Sequence, residues 1–144
     1  MIPLVIDSNI LFSALYNPKG LERKIFNLII EVEEIQLFAP DIFWEEIERN
    51  LVKKLDYHND EVNEIVSKFN ILKVGQKKYE KSIEKAELLI IHKEDVPFVA
   101  VSLFLNCPIW SGNEKHFKHL KDSKDIIWFN SRSLFAYLKE KGLC

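Results

Sequence analysis

The sequence predicts an α/β domain in which a central, mostly parallel sheet of 4–5 strands is wrapped by helices. Three observations carry this. Short apolar stretches read as strands: 3–6 lacks period-two alternation and reads as buried, while 35–39 is stopped by Pro40 and 108–111 ends at Gly112. Amphipathic helical stretches separate them. Polar or acidic residues close the runs, where an α/β sheet presents its ligand-binding rim.

The first strand, Pro3 to Ile6, ends at Asp7, and Ser8 or Asn9 is placed to cap a helix carrying Leu11, Ala14 and Leu15 inward. Tyr16-Asn-Pro-Lys-Gly20 is a turn by its Asn, Pro and Gly. Leu21 to Val32 places Leu21, Ile25, Leu28, Ile29 and Val32 on one helical face, and Ile35 to Ala39 is a second strand stopped by Pro40. A strand followed by helices and another strand implies a parallel crossover.

Asp41 to Leu55 is helical, with Phe43, Trp44, Ile47, Leu51 and Leu55 as its apolar arc; acids at its start and Lys53-Lys54 at its end suit the helix dipole. Asp60 is placed to cap a short helix through Phe69, and Ile71 to Val74 is a third strand. Lys77 to Ile91 forms one helix with Tyr79, Ile83, Ala86, Leu89 and Ile90 inward. The segment 98–105 is apolar almost all round; Pro97 at a first helical position favours a buried helix over a strand. Strands over 108–111 and 126–129 flank a short polar helix or turn, Glu114 to Lys121. Asn130 or Ser131 caps a final helix with Leu134, Phe135 and Leu138 inward.

The 144 residues suffice for one domain, taken as 1–144, and 47% hydrophobic content leaves burial unlimited. A net charge of −2 gives no global attraction for nucleic acid, so such binding needs a local basic patch. Cys107 lies in an apolar run as a buried thiol and Cys144 is terminal, which points to a reducing, cytoplasmic setting rather than a disulfide framework. Neither a signal peptide nor a membrane span is expected.

No G-x-S-x-G elbow, phosphate-binding loop or dinucleotide fingerprint is present. His116 and His119, three apart, offer two ligands where structural zinc wants four. What remains is acids at element ends: Asp7, the pair Glu45 and Glu46, Asp95, and Glu114 beside Asn113. In a parallel sheet these ends can share one rim. Clustered carboxylates repel unless a cation neutralises them, and hard oxygen donors suit Mg2+ or Mn2+. Such an ion can activate water toward a phosphodiester. At about 100° per residue, Glu45 and Glu46 flank the apolar arc of their helix equally, so helical geometry leaves the choice between them open.

Four blocks, Val5-Ile-Asp-Ser-Asn-Ile-Leu11, Ala39-Pro-Asp-Ile-Phe-Trp-Glu-Glu-Ile47, Glu94-Asp-Val-Pro-Phe-Val-Ala-Val-Ser-Leu103 and Pro108-Ile-Trp-Ser-Gly-Asn113, resemble the PIN-domain family, which includes VapC-type toxin ribonucleases. The resemblance spans nearly the whole chain in order. It implies a Rossmann-like, three-layer α/β/α sandwich and Mg2+- or Mn2+-dependent cleavage of RNA, with a protein antitoxin as partner and a homodimer as assembly. Matched position by position, Asp7, Glu46 and Asp95 are the metal-binding acids, with Asn113 completing the catalytic set. Ser8, Asn9, Ser111 and Glu114 are auxiliary positions. Lys115, Lys118 and Lys121 form a basic cluster suited to RNA phosphates.

Two departures stand out. The family usually carries an acid where this chain has Asn113, and related sequences often carry one three residues before Asp95, at His92. They support the alternative of a PIN-like module that binds RNA or protein without turnover. A phosphoacceptor receiver domain is disfavoured, because Asp7 is followed by Ser8-Asn9 instead of forming part of an acid pair.

Overall fold

The computed structural model describes all residues, 1–144. Five strands form one sheet: β1 (Ile2–Ile6), β2 (Ile35–Pro40), β3 (Ile71–Val74), β4 (Ile109–Trp110) and β5 (Trp128–Phe129). Their order is β3-β2-β1-β4-β5, and every pairing is parallel. Nine α-helices complete the chain: α1 (Ser8–Tyr16), α2 (Leu21–Val32), α3 (Ile42–Leu55), α4 (Asn59–Ser67), α5 (Gln76–Tyr79), α6 (Ile83–Leu89), α7 (Val96–Leu105), α8 (Glu114–Phe117) and α9 (Ser131–Glu140). None is long and apolar enough to cross a membrane.

The chain builds outward from β1 through β2 to β3, then returns to the opposite side of β1 for β4 and β5. The order therefore reverses between β1 and β4, and a crevice opens at their carboxyl ends, the place where α/β sheets of this kind bind ligands. Val5 pairs with Ile109 and Ile6 with Trp110, so Asp7 and Ser111 leave the sheet side by side.

Helices cover both faces. On one, α1 packs on α2 and α3, α4 on α3, and α9 on α2. On the other, α7 lies across β1, β2 and β4, with α5 and α6 against it. This explains the apolar circumference of α7: Val96, Phe98, Val99, Ala100, Val101 and Ser102 are all buried. Ser102 satisfies its hydroxyl by donating to the Cys107 carbonyl at 2.5 Å. Trp110 and Phe26 pack in the interior with ring centroids 5.1 Å apart and planes tilted by 43°, and the Trp110 indole N–H donates to Ser131 Oγ at 3.1 Å. Cys107 is a buried free thiol, as its apolar run predicts, and burial pushes its pKa to about 11.

Several local expectations are corrected. Asp7, and neither Ser8 nor Asn9, is the residue before α1, and Ser8 begins the helix as a buried residue. Asp60 is inside α4, which His58 precedes; Glu61 accepts from the His58 backbone N–H at 3.2 Å. The single helix expected over 77–91 is broken: a 3-10 turn at 80–82 separates α5 from α6. The break lets Tyr79 reach back to Asp41, to which its hydroxyl donates at 2.8 Å. Asn130 does cap α9, accepting from the Ser133 N–H at 2.8 Å.

Candidate metal centre

Asp7 stands at the mouth of α1 with only 4% of its surface exposed. No capping hydrogen bond occupies its side chain. Its Oδ2 instead accepts from Ser111 Oγ at 2.9 Å, across the reversal between β1 and β4. Ser111 is fully buried, and its Oγ in turn accepts the Asn113 backbone N–H at 3.2 Å.

Asp95 closes the short 3-10 turn Lys93–Asp95 ahead of α7 and is 5% exposed. Its Oδ2 lies 2.6 Å from His116 Nδ1. The Asn113 side-chain amide lies 2.9 Å from the same ring nitrogen. With Asp95 ionised, Nδ1 carries the proton and cannot also accept one. An Asn113 amide turned over would then offer its oxygen as acceptor to that N–H, whereas in this structure its nitrogen stands there. A continuous polar chain thus runs Asp7, Ser111, Asn113, His116, Asp95.

Glu46 arrives from the second turn of α3. It is half-buried, whereas Glu45 is exposed and lines a separate surface cleft with Glu48, Arg49 and Asn59. The structure thus distinguishes two glutamates that helical geometry alone could not. Glu46 Oε1 is buried with no hydrogen-bond partner.

The three acids feel one another. Burial raises the pKa of Asp7, with Asp95 adding repulsion, while the Ser111 hydrogen bond and the Asn9 and Ser8 amides oppose the rise. Burial also raises Asp95, opposed first by the hydrogen bond from His116 and then by its charge. Glu46 is pushed up to about 7 by burial and by Asp7, with Asp95 and Glu94 adding to it and Arg49 working against it. An unpartnered carboxylate oxygen beside two buried, mutually repelling carboxylates is a donor set that fits a hard divalent cation.

The remaining sequence-predicted residues divide. Asn9 and Asn113 border a cleft of about 380 Å³ with Ile10, Ser13, Glu22 and Gly112. Glu114 is exposed and accepts from Asn130 Nδ2 at 3.2 Å. Lys115, Lys118 and Lys121 are exposed along α8 and the turn after it. His119 does not join His116: its Nε2 contacts the Leu89 carbonyl at 2.6 Å. The partner that sequence reasoning missed is His116. The available signal was its place three residues after Asn113, which puts both on one side of a helical turn.

The all-parallel sheet, its reversal beside Asp7 and the acids gathered there define an α/β/α protein with an acidic centre. The pattern of the PIN domain matches residues 5–125, and the chain belongs to that family. Solved structures agree on the fold. VapBC2 from Rickettsia felis, bound to a DNA fragment from its promoter, has 17% identity and a TM-score of 0.65, covering 90% of this chain and 98% of that one. DNA-bound VapBC from Salmonella typhimurium has 13% identity and a TM-score of 0.68, covering 91% and 99%. A toxin–antitoxin complex from Klebsiella pneumoniae has 18% identity and a TM-score of 0.62, covering 86% and 95%. No curated protein sequence matches the chain significantly.

Proposed function

We propose that this PIN domain is a divalent-cation-dependent endoribonuclease in which Asp7, Glu46 and Asp95 hold Mg2+ or Mn2+. The observation that supports it most is Glu46 Oε1, buried and unpartnered beside two other carboxylates with raised pKa values. When bound, such an ion supplies Lewis-acid polarisation of a phosphodiester and of the attacking water.

The chain's own residues set the geometry. Ser111 donates to Asp7 and fixes one carboxylate; His116 fixes Asp95 from the other side. Asn113 ties these supports together through its N–H and its side chain, contributing to the site without a negative charge. Ser8 is buried in the first turn of α1 and is a packing residue of that turn. Asn9 and Asn113 line the cleft next to the acids, where RNA groups can be oriented. Lys115, Lys118 and Lys121 supply local positive charge for the backbone of an RNA strand.

The likeness to toxin–antitoxin complexes supports a protein antitoxin as partner; a homodimeric assembly and a cytoplasmic setting belong to the same proposal. A second reading, an RNA- or protein-binding module without turnover, is favoured by one observation: the Asn113 amide is engaged by His116.

A fluorescent RNA incubated with increasing Mn2+ or Mg2+ separates the two. Wild type cleaves in proportion to ion occupancy, and Asp7→Asn or Glu46→Gln lowers the rate by about 10²-fold or more, while Glu45→Gln stays close to wild type. Absence of both ion binding and cleavage in wild type overturns the nuclease reading. Cleavage that survives Asp7→Asn overturns the site.

A further inference from the structure

Beside the three acids lies a group of different chemistry. His92 and Glu94 come from the turn before α7, and His116 from α8. Each offers one ligand atom, and these atoms lie within 4.8 Å of one another. The His92 and His116 rings stack with centroids 3.4 Å apart and planes 15° from parallel. His92 Nδ1 stands 4.0 Å from Glu94 Oε1.

We propose that His92, Glu94 and His116 form a second metal site, with nitrogen donors, that takes a borderline divalent transition ion, zinc being the reference case. Two imidazoles and one carboxylate are a donor set that binds zinc and leaves a position for water. Imidazole favours such ions over Mg2+, which prefers oxygen.

A second observation points the same way. Asp95 accepts from His116 Nδ1 at 2.6 Å, and Nε2 of that ring makes no hydrogen bond. A carboxylate behind one nitrogen, fixing the tautomer and leaving the other free, is how ligating histidines are oriented. His116 is 17% exposed and held on its Asp95 side, whereas His92 and Glu94 are 45% and 61% exposed. Stacked rings send their in-plane lone pairs nearly parallel. Closing on an ion therefore requires His92 to turn its ring edge inward, a motion open to an exposed side chain. Asp95 would then stand between two cations, a ligand to the hard ion of the acidic centre and an orienting partner in the softer site.

The test is calorimetric titration of zinc into the full chain, with excess Mg2+ to fill the oxygen site and Cys144→Ser to remove the exposed thiol. Co2+ absorption in the visible provides a spectroscopic readout. The expected result is one zinc ion per chain. His92→Ala and His116→Ala each weaken it by about tenfold or more and lose the Co2+ bands, while His119→Ala and Asp7→Asn change affinity by no more than about twofold. His92 is exposed, so its variant reads the site without disturbing the core. Failure of wild type to bind zinc, unchanged affinity in both His92→Ala and His116→Ala, or loss of zinc in Asp7→Asn overturns the assignment. The readout is metal binding alone, so the nuclease reading stands or falls separately.

Discussion

His116 Nδ1 and Asp95 Oδ2 meet at 2.6 Å, joining the helical turn after β4 to the turn that precedes α7. Asp95 is 7% exposed at its side chain, so this partner is its principal relief from burial. Removing it with His116→Ala leaves a buried acceptor unmatched, a cost of about 1–3 kcal/mol. It also drives the Asp95 carboxyl further up, because the hydrogen bond and charge of His116 are what oppose the rise. Urea denaturation without added metal should show the midpoint falling; an unchanged midpoint would mean the pair contributes nothing to folding.

Glu46 gives a pH signature. Its folded pKa, about 7, lies above the unfolded value of 4.5. Between these values the folded chain keeps a proton that the unfolded chain releases, so the contribution to stability is present below about 4.5 and is lost as pH rises to about 7. Solvent on the open side of Glu46 reduces the effect to about 1 kcal/mol. Thermal melts across this window should show Glu46→Gln gaining about 2–4 °C over wild type as pH rises. Mn2+ should close that gap by stabilising wild type alone. A gap that is the same at pH 4.5 and 7 would exclude this titration.

Away from the site, Glu33 ends α2 with φ of 56°, a left-handed conformation in which a side chain costs energy and glycine does not. Glu33→Gly should stabilise the fold by about 1 kcal/mol and raise the melting temperature by about 2–4 °C. A lower melting temperature would show that the glutamate side chain contributes more than its backbone conformation costs.

β1 was legible because its buried residues, Leu4 to Ile6, form an unbroken apolar run, and Leu21–Val32 because one clean apolar face sets its limits. The break at 80–82 was hidden, since Tyr79 is held by Asp41, a residue 38 positions away that no local pattern includes. The same holds in the candidate centre. Asp7, Glu46 and Asp95 were visible as acids at element ends, and the family resemblance selected Glu46 over Glu45. The pairing of His116 with Asp95 depends on two turns brought together by the sheet, and a one-dimensional pattern carries no record of it.

The hydrogen bond from Ser111 to Asp7 spans 104 residues, and β4 comes later in the chain than β2 and β3, which lie on the other side of β1. During synthesis the first strand therefore leaves the ribosome long before the residues that complete its rim. From residue 46 until residue 95 is added, the nascent chain carries Asp7 and Glu46 without Asp95, Ser111 or His116. The polar rim at the β1–β4 reversal is therefore complete only when the carboxyl-terminal third has been made.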